Sequence, residues 1–144
     1  MFEDLVNKVV VVTGASQGIG KAIAETFLDY GSIVIFVARS EDKYGQSILD
    51  HPNSHIVKAD VTCTSGRYKV VKCLEELKKD LDILVCNVGS GSSVAPGTED
   101  RTDWDKSFEI NFFSTVSIIS CLRPYFSSNK GVFYVFHLFA AKPL

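Results

Sequence analysis

The chain has 144 residues, a formal net charge of −2 and hydrophobic residues at 46% of its positions. This length suits one domain with a single core, and the absence of long runs of like charge predicts no nucleic-acid or membrane-surface partner. No basic, apolar leader and no apolar stretch of membrane-spanning length is present, so we predict one cytoplasmic domain over residues 1–144. The four cysteines lack C-x-x-C spacing and the three histidines lack metal-binding spacing, which predicts reduced thiols and no metal site.

Strand-like and helix-like segments alternate along the chain. Apolar, β-branched runs predict strands buried on both faces at residues 9–13, 32–38, 55–58, 81–86 and 131–136. Helical periodicity predicts helices at residues 18–30, 42–49, 64–77 and 104–125, the last with Asp103 as its N-cap. This alternation predicts an α/β fold with a parallel sheet and right-handed crossovers.

The first strand runs into a glycine-rich turn that opens the first helix. The turn reads Thr13-Gly14-Ala15-Ser16-Gln17-Gly18-Ile19-Gly20. One face of the following helix is predicted to carry Ile19, Ile23, Phe27 and Tyr30. Glycines let the backbone approach a phosphate, and a helix N-terminus offers free N–H groups. Strand, glycine turn and helix therefore predict a dinucleotide pyrophosphate site, the alternative being an ordinary turn without a ligand.

Several spaced motifs together resemble the short-chain dehydrogenase/reductase family over residues 8–141. The glycine turn has the family's T-G-x-x-x-G-I-G, and Asp60-Val61 matches the acidic pair that borders the adenine pocket. Cys86-Asn87-Val88-Gly89 resembles the family's N-N-A-G, with departures at the first and third positions. Asn111-Phe112-Phe113-Ser114 falls where the family has a structural and proton-relay asparagine. The resemblance implies a Rossmann-like, doubly wound sheet of about five strands in the order 3-2-1-4-5, truncated at its C-terminal end.

The same resemblance implies a bound nicotinamide dinucleotide. The predicted cofactor-binding residues are Gly14, Ser16, Gln17, Gly18, Ile19, Gly20, Arg39, Ser40, Asp60, Val61, Asn87 and Gly89. Alternatives remain open for three polar residues of the chain. Asp60 is also suited to capping a strand end, Asn87 to turn chemistry alone, and Asn111 to a purely structural hydrogen bond.

The end of the second strand favours NADP over NAD. Proteins that select NAD usually place Asp or Glu there to bind the ribose 2′-hydroxyl, whereas this strand ends Val37-Ala38-Arg39-Ser40. A guanidinium favours a 2′-phosphate through charge-assisted hydrogen bonds. Two observations weigh against this prediction. Gln17 is neutral where NADP-preferring relatives often carry a basic residue, and Arg39 also suits a solvated loop near Glu41 and Asp42.

In the family, hydride transfer between nicotinamide and a carbonyl or alcohol uses a serine, a tyrosine and a lysine. The serine position falls on Leu138, which cannot donate a hydrogen bond, and the Tyr-x-x-x-Lys motif would follow beyond Leu144. Tyr68-Lys69 lies in the wrong segment and at the wrong spacing to replace it. Asn111 is then the remaining candidate catalytic residue. We predict a truncated NADP-preferring oxidoreductase that binds the cofactor with little or no turnover, the small substrate being bound only in a full-length relative.

Two other functions stay open from the sequence. One is a non-catalytic dinucleotide-binding or protein-interaction module, and the other is a flavodoxin-like domain, which does not need this glycine spacing. The helix predicted at 104–125 is apolar on more than one face. Family members pack this helix on a partner subunit, so the resemblance implies a homo-oligomer for a full-length relative and leaves the state of this chain open.

Overall fold

A computed structural model describes residues 3–40, 43–90, 97–127 and 132–135. The β-strands are β1 (Val9–Thr13), β2 (Ile33–Ala38), β3 (Ser54–Lys58), β4 (Ile83–Cys86) and β5 (Val132–Val135). The α-helices are α1 (Gly18–Asp29), α2 (Gln46–Leu49), α3 (Thr64–Leu77), α4 (Arg101–Phe108) and α5 (Ser114–Leu122). A π-helical segment, Glu109–Phe113, joins α4 to α5, and short 3-10 turns occupy Glu3–Leu5 and Arg123–Tyr125.

The five strands form one parallel sheet in the order β3-β2-β1-β4-β5. In the centre of the sheet, Val11 of β1 pairs with Ile35 on one side and Leu84 on the other. The predicted α/β class, the doubly wound sheet and the strand order are therefore confirmed. β5 occupies Val132–Val135, while Gly131 and Phe136, the ends of the predicted fifth strand, lie outside the described residues.

Alternate side chains of the buried strands supply two hydrophobic clusters, one on each face of the sheet. Val9 and Val11 of β1 belong to a cluster with residues of α3 and α5, among them Leu74 and Ile118. Val10 and Val12 belong to the other cluster, with Ala24 and Leu28 of α1. Because both faces of β1 are covered, its uninterrupted valine run is the pattern that a central parallel strand requires.

The buried face of α1 differs from the prediction. Its fully buried residues are Gly20, Ala24 and Leu28, whereas Ile19 and Tyr30 are 47% and 39% exposed. Small residues at positions 20 and 24 let the helix axis lie close to the sheet, and this turns the larger apolar residues toward its sides. Ile23 and Phe27 are partly buried and pack against the cluster.

The helix predicted at 104–125 begins earlier and is not uniform. Asp100, not Asp103, is the N-cap of α4, because its side chain accepts the Asp103 N–H at 2.9 Å. The Asp103 carboxylate in turn accepts the Asp100 N–H at 3.2 Å, which completes a capping box. The prediction of Asp103 as N-cap was wrong because it recognised an acidic residue near the helix start but not the reciprocal pair.

The segment between β2 and β3 is mostly not helical, in contrast to the prediction for residues 42–49. Only Gln46–Leu49 forms a helix, and residue 42 lies outside the described residues. Tyr44 is instead buried, with its ring edge-on to Phe36 of β2 at a centroid distance of 5.5 Å. Burial of this ring holds the preceding residue, Lys43, at the carboxyl end of the sheet.

Candidate functional site

An open cavity of about 970 Å³ lies where the carboxyl ends of β1 to β4 meet. It is lined by every predicted cofactor-binding residue except Gly20, together with Lys43, Thr62 and Ile110 among others. Crevices at this edge of a doubly wound sheet are the usual ligand sites of such folds. The structure therefore brings together, around one cavity, residues that lie as far apart in sequence as Gly14 and Gly89.

The glycine turn forms one wall of the cavity, and its glycines answer two different steric needs. Gly14 and Gly18 have φ angles of +65° and +57°, in the left-handed region that favours glycine. Gly20 lies behind the turn, where a Cβ would come within 2.3 Å of Asn87 Nδ2 and 2.4 Å of the Gly14 carbonyl oxygen. Its role is to let the start of α1 pack against the glycine turn and Asn87, and it does not itself line the cavity.

The N-terminus of α1 faces the cavity without a side-chain cap. Gln17 occupies the N-cap position and makes no capping hydrogen bond, and the first turn contains no acidic residue. The first N–H groups of a helix lack intrahelical partners, and the helix dipole makes this end positive. An uncapped α1 N-terminus beside two cavity-lining glycines is suited to a phosphate group.

Asn87 links β4 to the glycine turn. Its N–H donates to Thr13 Oγ1 at 3.1 Å, and its Nδ2 donates to the Gly14 carbonyl at 3.3 Å. Its Oδ1 is buried and has no hydrogen-bond partner among the described residues. Because buried acceptors are nearly always satisfied, this unpaired oxygen at the cavity wall fits a site that a polar ligand or water completes.

The turn after β3 forms another wall of the cavity. Asp60 Oδ1 accepts the Thr62 hydroxyl at 2.7 Å and the Thr62 N–H at 3.0 Å. These bonds, the hydroxyl contributing most, and the charge of Arg39 hold the pKa of Asp60 below its usual value, although partial burial opposes them. Asp60 is thus an ionised carboxylate whose Oδ1 is used to shape its own turn.

Arg67, on α3, fixes this same turn from behind. Its guanidinium donates to the carbonyls of Val61 at 2.8 Å and Thr62 at 3.0 Å, and to Thr64 Oγ1 at 3.0 Å. No motif in the sequence indicated that Arg67 has a role at the site, because its local pattern is that of any charged residue on a helix. Its spacing after the Asp60-Val61 pair, within the first turn of a predicted helix, is the signal that could have found it.

Two basic side chains lie at the outer end of the cavity. Arg39 is exposed and lines the cavity directly after β2. Lys43 also lines the cavity, and its ammonium donates a hydrogen bond to Oε1 of Gln17. Sequence reasoning missed Lys43 because its segment was predicted as a helix. Glu41 and Asp42, which the sequence offered as neighbours of Arg39, lie outside the described residues.

Asn111 lies in the π-helical segment, near the inner end of the cavity. Its Oδ1 accepts the Ser90 N–H at 2.9 Å, and its Nδ2 donates to the carbonyls of Ser90 at 3.2 Å and Ser107 at 3.0 Å. The side chain therefore holds the segment after β4 against the helix. The Ser114 N–H donates to the Glu109 carbonyl five residues earlier, and this spacing is the one that defines a π-helical turn.

Among the described residues, no Tyr-x-x-x-Lys pair lines this cavity. Leu138, at the family's serine position, lies outside the described residues. The spacing of Tyr68 to Lys69 does not match the Tyr-x-x-x-Lys motif, but Lys72 follows Tyr68 at the spacing of that motif. Both are on the outer face of α3, where Tyr68 is 64% exposed and Lys72 pairs with Glu76 at 3.8 Å, and neither lines the cavity.

The fold and this cavity define an α/β domain of the dinucleotide-binding class, and the sequence comparison identifies its family. The family described as short chain dehydrogenase matches residues 8–133, so the chain belongs to that family. The chain is 33% identical over 135 residues to 11-beta-hydroxysteroid dehydrogenase A of Sesamum indicum, covering 90% of this chain and 39% of that protein. This membership gives no support to a flavodoxin-like domain and does not favour a non-catalytic module.

Solved structures agree with this assignment. L-sorbose reductase from Gluconobacter frateurii, complexed with NADPH and L-sorbose, gives a TM-score of 0.75 at 31% identity, covering 86% of this chain and 49% of that one. A 7α-hydroxysteroid dehydrogenase complexed with NADH gives 0.79 at 27% identity, covering 91% and 53%. The chain thus spans about half the length of these neighbours, which between them hold both forms of nicotinamide dinucleotide.

Among the described residues, no helix is long and apolar enough to cross a membrane. Within the same ranges, no three His, Cys, Asp or Glu side chains are grouped so that they could hold a metal ion.

Proposed function

We propose that this chain binds NADP(H) in preference to NAD(H). The proposed pose places the pyrophosphate at the glycine turn, the adenine beside Asp60 and Val61, and the 2′-phosphate at Arg39. The observation that carries the proposal is the exposed guanidinium of Arg39 on the cavity rim, at a strand end whose residues 37–40 contain no carboxylate. A guanidinium matches a phosphate in charge and geometry, whereas the ribose 2′-hydroxyl of NAD calls for a carboxylate there.

An Arg39→Asp variant tests this preference. We expect the affinity for NADPH to fall about tenfold or more, because a charge-assisted hydrogen bond is lost and a repulsion is added, while NADH binding changes little. Lys79→Asp is the matched control, since it makes the same charge change at an exposed residue that does not line the cavity. Titration by nicotinamide fluorescence measures both affinities, and equal losses for the two cofactors would contradict the proposal.

For the whole protein we propose an oxidoreductase that transfers a hydride between nicotinamide and a carbonyl or alcohol. The bound cofactor supplies or accepts the hydride. The residues of this chain hold its phosphates and adenosine and, through Asn87 and Asn111, fix the segment after β4 that borders the cavity. The substrate-binding part is proposed to lie in sequence that the longer relatives have and this chain lacks.

The present chain is proposed to bind the cofactor with little or no turnover. Leucine stands at the family's serine position, and the nine residues after Val135 contain no tyrosine. Tuning a phenol for proton transfer near neutral pH needs a neighbouring cation in the site, and Tyr68 with Lys72 lies outside it. Incubation of the pure chain with NADPH and a panel of carbonyl compounds tests this, and clear NADPH oxidation would refute it.

A second copy of the chain is the proposed macromolecular partner, bound through α4 and the π-helical segment. Trp104, Phe108 and Phe113 are between 49% and 56% exposed and line one groove, with Arg101, Asp105 and Glu109 at its rim. Aromatic side chains ringed by charges are typical of a protein interface. Light scattering coupled to size exclusion tests the proposal, and a monomer at all concentrations would contradict it.

We also propose a cytoplasmic location, supported by cysteines 63, 73, 86 and 121, all of which are free thiols. Fractionation of expressing cells checks it, and recovery in a membrane or secreted fraction would count against it.

A further inference from the structure

We infer that Lys43 supplies the second positive charge of the 2′-phosphate site, in place of a basic residue at position 17. The inference rests on the proposed NADP preference and names a specificity residue for that site. Position 17 itself carries a neutral glutamine, which weighed against NADP in the sequence. In the folded chain Lys43 lines the same cavity as Arg39 and Gln17, and its ammonium donates to the Gln17 amide oxygen.

Contacts on two sides fix the position of the backbone at Lys43. On one side the Tyr44 ring is buried, edge-on to Phe36 at 5.5 Å. On the other, Lys21 Nζ of α1 donates to the Lys43 carbonyl at 3.3 Å. These contacts place the base of the side chain between α1 and the end of β2, within reach of the glycine turn.

The charges of the described residues at this end of the cavity show why a second cation matters. Arg39 interacts electrostatically with the Asp60 carboxylate of the turn after β3, the smallest of the influences that lower the pKa of Asp60, and this offsets a small part of the Arg39 charge. The hydrogen-bond partner of Lys43, the Gln17 amide, is neutral and offsets none. A phosphate monoester carries close to two negative charges at neutral pH, so two cations match it better than one. An ammonium has three donors, which leaves it able to bind both the amide and a phosphate oxygen.

The test compares NADPH and NADH binding by the full chain and its Lys43→Gln variant, followed by nicotinamide fluorescence. We expect NADPH affinity to fall about fivefold, as for loss of one partly exposed charge-assisted bond, and NADH affinity to change less than about twofold. Lys69→Gln is the matched control, because Lys69 is also exposed and donates to a carbonyl, that of Lys58, but does not line the cavity. Lys43→Arg should retain most of the NADPH affinity.

A double variant gives the sharper test. If Lys43 replaces a basic residue at position 17, then Gln17→Lys combined with Lys43→Gln should restore the lost NADPH affinity. Selective loss in Lys43→Gln, with recovery in the double variant, supports the inference. Circular dichroism melts of each variant verify that it remains folded, as expected for exposed positions.

Three outcomes would overturn the inference, and they separate it from the proposed function. If Arg39→Asp lowers NADPH affinity selectively while Lys43→Gln does not, the inference fails and the NADP preference stands. If Lys43→Gln weakens both cofactors equally, Lys43 acts on the glycine turn through Gln17, and the inference again fails alone. If the unsubstituted chain binds neither cofactor, or neither variant changes selectivity, the proposed NADP site and the inference fail together.

Discussion

The cavity walls and the outer face of α4 differ in the partners that their side chains have within the described residues. Around the cavity, Asp60, Arg67 and Asn87 bond to groups of their own chain and shape a site between strand ends. On α4 no residue is buried, and Trp104 and Phe108 are more than half exposed. The side-chain hydrogen bonds of the first region join described residues of a single chain, whereas the apolar face of the second is uncovered among the described residues. Substitutions in the first should therefore act at any protein concentration, and those in the second only through association.

The largest effect is expected from Gly66→Ala, at the start of α3 behind the cavity. A Cβ at this position would lie 1.8 Å from the Asp60 carbonyl oxygen, so α3 or the Asp60 turn must move. We expect the free energy of unfolding to fall by about 3 kcal/mol or more, measured by urea denaturation. Gly45→Ala is the control, because its nearest neighbour would be Ser47 Oγ at 3.8 Å, and it should stay within about 1 kcal/mol of the parent. Similar stabilities for the two variants would contradict this packing.

Asn111→Leu is expected to have the next largest effect. It removes the acceptor for the Ser90 N–H and the donor to the Ser90 and Ser107 carbonyls. We expect a loss of about 2 kcal/mol of stability, as for partly buried groups left unpaired, with weaker binding of both dinucleotides. Ser107→Ala removes only a long contact of 3.4 Å and should cost at most about 0.5 kcal/mol. If both variants behave alike, Asn111 does not hold the segment after β4.

The part of the site that sequence could predict is the part set by local pattern. The valine run at 9–12, the glycines after it and the polar residues after later strands each have a signature within a few positions. A parallel sheet then brings such strand ends together without further information, because their carboxyl ends share one edge. This is why all but one of the predicted cofactor-binding residues line a single cavity.

What could not be predicted depends on contacts between distant residues. Lys43 reaches the site because Tyr44 is buried against Phe36, in a segment whose local pattern suggests a helix. The buried face of α1 follows Gly20 and Ala24 rather than its larger residues, since close approach to the sheet decides it. Local periodicity shows which residues of a helix are apolar, but it does not show how close the helix axis lies to the sheet.

A smaller effect, with a different signature, is expected from Arg67→Met. The change removes two hydrogen bonds to the turn after β3 and one to Thr64 of α3, while keeping most of the apolar stem. We expect about 1 kcal/mol lower stability and roughly threefold weaker binding of NADPH and NADH alike, because the turn and not the 2′-phosphate is affected. Arg67→Lys, which keeps the charge and some hydrogen bonding, should fall between. A selective loss of NADPH would instead assign Arg67 to the phosphate site.

The smallest effect on the single chain is expected from Phe108→Lys, which tests the uncovered region directly. Because Phe108 is 52% exposed, the substitution should change stability at low concentration by at most about 0.5 kcal/mol. If α4 contacts a second copy, the same change should shift the mass in light scattering toward the monomer, since it buries a charge in that contact. Tyr68→Lys is the control, as it alters an even more exposed aromatic residue on α3. A stability loss that is large and independent of concentration would show that Phe108 packs within its own chain. In that case the two regions would not differ, because α4, like the cavity walls, would be stabilised by contacts within a single chain.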